Sequence, residues 1–405
     1  MSNDDALFTE DWTARFGDAL NQDAHWSTAA KWLQARIQFI GDSSAFAVDV
    51  RNGRAADVTN GLNPRGADIV LRAPDSEWRT LLAGDTDFFK GISPGLGEIS
   101  LEGDAVLAMK NMDTMFFTLE IAKRVGNPVP TPPRPSPEPT HSGKETVGHY
   151  VTVNGIRTYY EEAGEGPVIV CLHAACQDTL MYRFVLDGLS DQYRVIAVDA
   201  PGHAKSLMPA DGAFTDITQH AEFNEAFMEA LGLEHPALIG CSFAGNQVLE
   251  LAARRPGAYA AIISSEGADY TPTVSELSLD MLKSDGQQYV GAWSRSLTGA
   301  RTPADRAEEV YWQIRRNVPE VMAGDLSGYG HFDKRDVMHL ISDPVLMIRG
   351  DADWLVSQEA VEATASRIDG AKIVVLEGTG HYPMSENPTE FNDAVRAFLH
   401  EVDYR

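Results

Sequence analysis

The chain has only three cysteines, Cys171, Cys176 and Cys241, in 405 residues. Their spacing fits neither a zinc site nor the paired framework of a disulfide-rich secreted domain. Free thiols are the ordinary state of cysteine in the reducing cytosol. We therefore expect a cytoplasmic protein with neither disulfides nor a cysteine-based metal centre.

Positive charge is also scarce, since 59 acidic residues face 33 basic ones and the formal net charge is -26. Long-range repulsion opposes binding to phosphate backbones and anionic bilayers, so we expect no nucleic-acid partner. No apolar run approaches the roughly 18 to 20 residues that cross a bilayer. The chain begins Met1-Ser2-Asn3-Asp4-Asp5, which is acidic, whereas a signal peptide begins with basic residues. These features predict neither a signal peptide nor a membrane span.

Proline is concentrated in one segment, because seven of the twelve residues 128–139 are proline. Such a tract favours an extended polyproline conformation of about 3 Å per residue. A chain of 405 residues is too long for one ordinary core. The sequence predicts two domains, residues 1–127 and 144–405, joined by a semi-rigid linker at 128–143. The alternative is that the tract is a ligand for a small recognition domain.

The second segment alternates short apolar runs with amphipathic stretches of helix length. Asn154-Gly155 separates two strand-like runs and favours the positive φ angles of a tight hairpin. Later apolar runs are typical of buried parallel strands joined by crossover helices. These runs are residues 168–172, 195–198, 237–239, 260–263, 345–348 and 373–376.

Residues 268–335 interrupt this rhythm and contain helix-like pieces such as 304–316. An insertion of this size between two strands predicts a cap. Its aromatic side chains either line an apolar pocket or fasten the cap to the sheet. They are Tyr270, Tyr289, Trp293, Tyr311, Trp312, Tyr329 and Phe332.

A candidate nucleophile follows one of the predicted strands. Ser242 stands in Gly240-Cys241-Ser242-Phe243-Ala244, after an apolar run and before a helix predicted at 246–254. A serine on a strained strand-to-helix turn needs small residues two positions to either side, because the backbones approach closely. The pattern therefore favours Ser242 as a nucleophile over an ordinary loop serine.

Serine attacks at neutral pH only if a histidine takes its proton and a carboxylate orients that histidine. His381 lies in a glycine-rich loop directly after the strand at 372–376, whereas His400 lies in an amphipathic terminal segment. Parallel sheets place their sites at the carboxyl ends of strands, which favours His381. The residues alone leave the acid open between Asp351 and Asp353, with Glu266 a less favoured candidate.

Acyl transfer also needs two donors for the oxyanion. We expect one from the N–H of Phe243, at the start of the helix after the nucleophile, and one from Ala175 after the strand that ends near His173. His173 itself is predicted to brace that loop. The residues expected to contact substrate are Ala174, Cys241, Trp293, Trp354 and Tyr382. This chemistry requires no metal and no organic cofactor.

Residues 148–402 resemble the α/β-hydrolase family. The resemblance is carried by His173-Ala174, the segment 199–206, the turn at Ser242, Gly350-Asp351-Ala352-Asp353 and Gly380-His381. It implies a mostly parallel sheet with helices on both sides and an inserted cap. The family's Gly-x-x-Asp pattern places the acid at Asp353. Ala174 and Ala204 stand where the family usually has glycine.

The first 127 residues have an α+β pattern and no nucleophile constellation. A helix is predicted at 6–23 and another at 105–123, with strand-like runs at 46–50, 69–71 and 97–104. Residues 10–125 resemble the sterol-carrier-protein-like domain around Gly84 and Gly103-Asp104, which implies burial of an apolar ligand such as a lipid. Methionine and phenylalanine side chains of the last helix either line a tunnel or form plain core. They are Met109, Met112, Met115, Phe116 and Phe117.

These features together predict a hydrolase that cleaves a hydrophobic carboxylic ester or lactone with Ser242, His381 and Asp353. Carbon–carbon bond hydrolysis and perhydrolysis use the same triad and stay open as alternatives. A non-catalytic protein that binds a lipophilic ligand is the alternative from another class, but binding alone needs no intact triad. The first domain would bind substrate, hold a partner or mediate formation of a homo-oligomer.

Overall fold

The chain divides into two units, Met1–Thr131 and Pro132–Arg405, each built on a β-sheet of its own. The computed structural model describes residues 7–93, 95–126, 137–272, 274 and 276–405. Residues 127–136, which include most of the predicted proline-rich linker, lie outside the described residues, so the linker stays a prediction.

The first unit contains a five-stranded mixed sheet. Its strands are β1 Gln34–Ile40, β2 Ala45–Arg51, β3 Arg54–Asn60, β4 Ile69–Arg72 and β5 Ser100–Gly103. The order across the sheet is β3-β2-β1-β4-β5. β1 runs antiparallel to β2 and parallel to β4. Gly103 ends β5 with φ +91°, a left-handed conformation that glycine adopts freely, and a Cβ there would lie 2.5 Å from the carbonyl oxygen of Asp68.

The first unit also contains six helices among the described residues. They are α1 Glu10–Gln22, α2 Ala24–Ala29, α3 Asp75–Ala83, α4 Phe88–Ile92, α5 Ala105–Lys110 and α6 Met112–Gly126. The single helix predicted at 105–123 is wrong, because α5 ends where the backbone of Asn111 leaves the helical region and its side chain donates to the Leu107 carbonyl at 2.8 Å. Met112 and Met115 are fully buried in this unit.

The second unit contains an eight-stranded sheet. Its strands are β6 Val147–Val153, β7 Ile156–Ala163, β8 Val168–Leu172, β9 Arg194–Val198, β10 Ala237–Cys241, β11 Ala261–Ser265, β12 Val345–Gly350 and β13 Lys372–Leu376. The order is β13-β12-β11-β10-β8-β9-β7-β6, parallel from β13 to β9. The hairpin predicted at Asn154-Gly155 is confirmed, since both residues have positive φ and join antiparallel β6 and β7.

Helices lie between these strands and after the last one. They are α7 Arg183–Leu189, α8 Ile217–Ala230, α9 Phe243–Arg254, α10 Glu276–Ser296, α11 Ala304–Arg315, α12 Pro319–Gly330, α13 Gln358–Ala365, α14 Pro383–Glu386 and α15 Pro388–Glu401, with 3-10 helices at Thr179–Tyr182 and Met338–Leu340. α10, α11 and α12 occupy the stretch between β11 and β12. We call residues 268–335 the cap segment.

The central parallel strands are the most buried part of the second unit. β10, β11 and β12 are buried along their whole length, as expected for parallel strands covered on both faces. Their carboxyl ends meet at one edge of the sheet, so the loops after β8, β10, β12 and β13 come together there. Among the described residues, none of the helices combines the length and the apolarity that crossing a bilayer requires.

We expect Phe46→Ala to destabilise the first unit by about 3 to 5 kcal/mol, the usual cost of removing a buried phenylalanine ring. Phe46 is 1% exposed, and its ring stacks on Phe39 at 4.4 Å and meets Phe8 edge-on at 4.6 Å. Native-state hydrogen exchange of the β1 and β2 amides measures this loss. Trp32→Ala, at a side chain that is 83% exposed, is the control and should shift the same amides by less than about 0.5 kcal/mol. Equal effects of the two substitutions would contradict the assignment of Phe46 to the core.

Candidate active site

Ser242 occupies a sharp turn between β10 and α9. Its backbone has φ 55° and ψ -118°, and its N–H donates to the Ser265 carbonyl at 2.8 Å. A Cβ on Gly240 would lie 2.0 Å from the Ala244 carbonyl oxygen, so only glycine fits at this position. A residue other than glycine rarely adopts a positive φ unless the surrounding structure enforces it. The turn therefore holds the Ser242 side chain at the carboxyl edge of the sheet.

His381 is paired with Asp353 across two neighbouring loops. The Nδ1 atom of His381 lies 2.7 Å from Oδ2 of Asp353, and both side chains are buried. The loop that carries His381 passes very close to the cap segment: a Cβ on Gly380 would lie 2.0 Å from the Leu297 carbonyl oxygen, which also accepts from the His381 N–H at 2.9 Å. This contact fixes the position of the imidazole.

The other residues considered for the acid and the base lie elsewhere or have another partner. Asp351 is exposed and accepts from the Gly378 N–H at 2.6 Å, so it does not face His381. His400 lies on α15 and contacts Gln192 at 3.1 Å. Of the two aspartates after β12, the structure thus brings Asp353 to the imidazole.

A second buried carboxyl group, Glu266 after β11, adjoins this pair. One of its oxygens accepts from the Gly350 N–H, and its side chain is hydrogen-bonded to Asp353. Two carboxylates cannot share a hydrogen bond unless one carries a proton. Burial and the negative charge of Asp353 raise the pKa of Glu266 well above its usual value, so Glu266 holds the proton.

Asp353 stays ionised beside this neutral neighbour. Burial by itself works against its charge, but the charge and the hydrogen bond of His381, the bond from Glu266 and the Leu355 N–H at 2.8 Å together lower the pKa of Asp353 below its ordinary value. The arrangement is a neutral acid, an ionised carboxylate and an imidazole in series. Ligand atoms of Glu266, Asp353 and His381 lie within 4.8 Å of one another, so these three side chains also form a group that could hold a metal ion.

Two backbone donors stand near the nucleophile. Within the described ranges, neither the Ala175 N–H nor the Phe243 N–H is hydrogen-bonded to a protein acceptor. The preceding N–H, that of Ala174, points instead to the sulfur of Met181 at 3.4 Å. The two free donors are those that an oxyanion would need.

His173 braces the first of these loops. Its Nδ1 donates to the Ala174 carbonyl at 2.8 Å, and its Nε2 accepts from the Ala200 N–H at 3.0 Å. Burial and the nearby imidazole of His203 lower the pKa of His173 to about 4. The side chain is neutral at neutral pH, and the hydrogen bonds of both nitrogens make it a loop support.

Ser242 and His381 open onto one cavity of about 20 Å³. Three of the five residues predicted to contact substrate, Ala174, Trp293 and Tyr382, line it, together with the proposed donor residue Ala175. The other lining residues are Cys176, Val290, Ser294, Leu326, Tyr329 and Leu355.

The structure places the other two predicted substrate contacts outside that lining. Cys241 is fully buried in β10, and its thiol lies 3.4 Å from the His381 carbonyl oxygen. Trp354 is half-buried; it donates to the Ser296 carbonyl at 3.1 Å and packs edge-on against Trp293.

Sequence reasoning did not single out the contribution of α12 to the site. The Tyr329 ring lines the cavity together with Ser242, and burial raises the pKa of this phenol, so it stays protonated. The aromatic content of the cap segment pointed towards a pocket, but a helical pattern alone does not say which ring reaches the nucleophile.

Comparisons with known proteins cover the second unit. The family model described as alpha/beta hydrolase fold matches residues 167–388. The 2-(acetamidomethylene)succinate hydrolase of Mesorhizobium japonicum is 25% identical over 269 residues, which are 62% of this chain and 95% of that protein. The 2-hydroxymuconate semialdehyde hydrolase of a Pseudomonas species is 26% identical over 286 residues, 64% of this chain and 95% of that protein. An enol-lactonase structure from Burkholderia xenovorans has a TM-score of 0.57 at 22% identity and covers 62% of this chain and 100% of its own, which shows likeness of fold.

The proton on Glu266 predicts a pH-dependent effect of Glu266→Gln. Because the folded state keeps a proton that the unfolded chain releases above pH 4.5, the usual Glu pKa, wild-type stability falls as pH rises towards the folded pKa. Glutamine is neutral and keeps one donor and one acceptor. We expect the variant to gain stability over the wild type by about 1.4 kcal/mol per pH unit in this window.

Urea unfolding at pH 5, 6, 7 and 8 measures this difference. Glu234→Gln, at an exposed carboxyl group, is the matched control and should show no such trend. A difference between Glu266→Gln and wild type that stays constant from pH 5 to 8 would mean that Glu266 is ionised in the folded protein.

Proposed function

This chain belongs to the alpha/beta hydrolase fold family and is an enzyme, and we propose that it cleaves a hydrophobic carboxylic ester or lactone through an acyl-enzyme on Ser242. The observation that carries the proposal is that Ser242, the His381–Asp353 pair and the Ala175 loop meet at one buried cavity. This grouping supports Ser242, His381 and Asp353 as the proposed catalytic triad.

In the proposed reaction Ser242 Oγ attacks the carbonyl carbon while His381 Nε2 takes its proton. Asp353 holds Nδ1 and stabilises the imidazolium that forms. The N–H groups of Ala175 and Phe243 bind the oxyanion. His381 then gives the proton to the leaving oxygen. A water molecule attacks the acyl-enzyme while His381 takes its proton, and the acid leaves as His381 returns that proton to Ser242 Oγ.

The cavity favours an uncharged substrate. Its lining is apolar or weakly polar, and none of the lining residues described is a lysine or an arginine. A carboxylate brought into such a site would lose its hydration with no cation to replace it. This composition supports a neutral hydrophobic acyl group.

Carbon–carbon bond hydrolysis is the second candidate, because 2-hydroxymuconate semialdehyde hydrolase is among the similar proteins. It would use the same triad on a ketone instead of an ester. The uncharged lining favours the ester or lactone, since the name of that relative describes a muconate, a carboxylate compound.

For the first unit we propose a sterol-carrier-protein-like fold that takes up an apolar ligand. Support comes from the two turns on which the resemblance rests: Gly84 ends α3 with φ 87°, and Asp104 caps α5 after Gly103. Met112 and Met115 of α6 are buried, which agrees with both the tunnel and the plain-core interpretation. A role in self-association and a cytoplasmic location, the latter suggested by three free buried cysteines, are part of the same proposal.

We expect the enzyme to hydrolyse p-nitrophenyl hexanoate at least about ten times more efficiently, by kcat/KM, than the mono-p-nitrophenyl ester of adipic acid. The two substrates have acyl chains of equal length and differ in a terminal carboxylate, whose desolvation is the physical cause of the difference. Release of p-nitrophenol measures both rates. A faster reaction with the charged ester would contradict the neutral site.

Ser242→Ala should abolish turnover of both esters and labelling by a fluorophosphonate. Ser327→Ala, at a serine of α12 outside the lining of this cavity, is the control and should retain both. Full ester turnover by Ser242→Ala would overturn the proposed function.

A further inference from the structure

The loop after β8, residues 173–178, adopts a backbone conformation that needs support from outside. Cys176 has φ 61°, in the left-handed region that residues other than glycine rarely adopt. The proposed oxyanion donor Ala175 directly precedes it. Strain of this kind persists only where neighbouring groups hold the backbone in place.

The cap segment supplies that support through polar contacts to three consecutive residues. The carboxylate of Asp325 accepts from the Cys176 N–H at 2.7 Å, and the amide of Asn317 donates to the Cys176 carbonyl at 2.8 Å and to the next carbonyl at 3.3 Å. Arg316 makes a two-point ion pair with the buried carboxylate of Asp178. Residues from α12 and from the α11–α12 connection thus hold the loop on both sides of its strained residue.

The side chains of Asp325 and Asn317 that contact this loop are themselves held in place by hydrogen bonds. Asp325 is 1% exposed and lies 2.9 Å from Nε2 of His203, whose charge helps to lower the pKa of Asp325 against the effect of burial. The Asn317 side-chain oxygen accepts from the Ala204 N–H at 3.3 Å, and its backbone carbonyl accepts from Gln287 of α10 at 2.8 Å. The contacts to the loop are therefore made by an ionised acceptor and an oriented amide.

The cavity between the cap segment and the nucleophile links these contacts to substrate entry. Its 20 Å³ or so is space for about one water molecule. Side chains of α10 and α12 form much of its lining, including Val290, Trp293, Leu326 and Tyr329. An ester is larger than this space, so its entry requires a rearrangement of this lining, and α12 carries both part of the lining and Asp325.

We propose that Asn317 and Asp325 are positioning residues that align the Ala175 N–H for the oxyanion, so that cap closure and formation of the oxyanion hole are one event. The inference rests on the proposed function, in which Ala175 is an oxyanion donor. Neither residue touches the substrate. Their effect is on the transition state, where the oxyanion exists, and not on the uncharged ester.

Asn317→Asp tests the proposal with an isosteric change. It keeps the acceptor for Ala204 but turns the donor facing the two carbonyls into a repelling oxygen. We expect kcat for p-nitrophenyl hexanoate to fall at least about tenfold with KM changed less than threefold, since loss of one oxyanion donor lowers kcat by about 10² to 10³. Asp325→Asn, which removes the negative charge facing the Cys176 N–H, should lower kcat in the same direction.

Two matched inhibitors separate alignment from a general structural defect. A trifluoromethyl ketone forms a tetrahedral oxyanion with the nucleophile, whereas the unfluorinated ketone of the same chain length occupies the site as a ground-state ligand. In Asn317→Asp the Ki of the trifluoromethyl ketone should rise by the factor by which kcat/KM falls, and the Ki of the plain ketone should stay within about threefold. Equal weakening of both ketones, or unchanged kcat, would overturn the proposal.

Lys283→Ala, at an exposed side chain of α10, is the control for changes in the cap segment and should alter neither Ki. Ser242→Ala keeps the two failures apart. If Ser242→Ala is inactive and Asn317→Asp has wild-type kinetics, the positioning role alone is wrong. If Ser242→Ala still hydrolyses the ester, the proposed function is wrong as well.

Discussion

The second unit depends on keeping one carboxylate, that of Asp353, ionised inside a dry core. Burial of an unpaired charge is strongly unfavourable, and here the imidazole of His381, a backbone N–H and the protonated Glu266 each donate towards it. Because Asp353 keeps its charge, the imidazole has a fixed orientation and a fixed tautomer. The strained turn at Ser242 is useful only because that imidazole is held in place beside the same cavity.

The same physical solution recurs at Asp325 in the cap segment. This carboxylate is also buried, also paired with a histidine, and also accepts a backbone N–H from a strained loop. Asp353 orients a side chain, whereas Asp325 orients a backbone. The positions of the proposed base and of the proposed donor loop therefore both depend on a buried, hydrogen-bonded carboxylate.

Local patterns in the sequence predicted much of this site. The elbow at Ser242 and the glycine approach to His381 are recognisable because each requires small residues at fixed offsets, and the structure shows the close contacts that demand them. The alternation of short apolar runs with segments of helix length likewise predicted the parallel sheet, because buried strands and crossover helices each leave a local pattern. Long-range pairing carries no such local mark: Glu266 meets Asp353 from another strand, and Asp325 and Asn317 meet Cys176 from about 140 residues away. The break at Asn111 was missed because the apolar periodicity continues through it.

Ester cleavage by this enzyme is proposed to pass through a covalent intermediate at Ser242, and trapping that intermediate is its most direct test. Wild-type protein is mixed with p-nitrophenyl hexanoate, quenched in acid within milliseconds and digested. The masses of the peptides are then measured by mass spectrometry. We expect a hexanoyl group on the peptide that contains Ser242, mapped to that serine and absent from Ser242→Ala. Steady turnover with no acylated peptide, or an acyl group on a different residue, would contradict it.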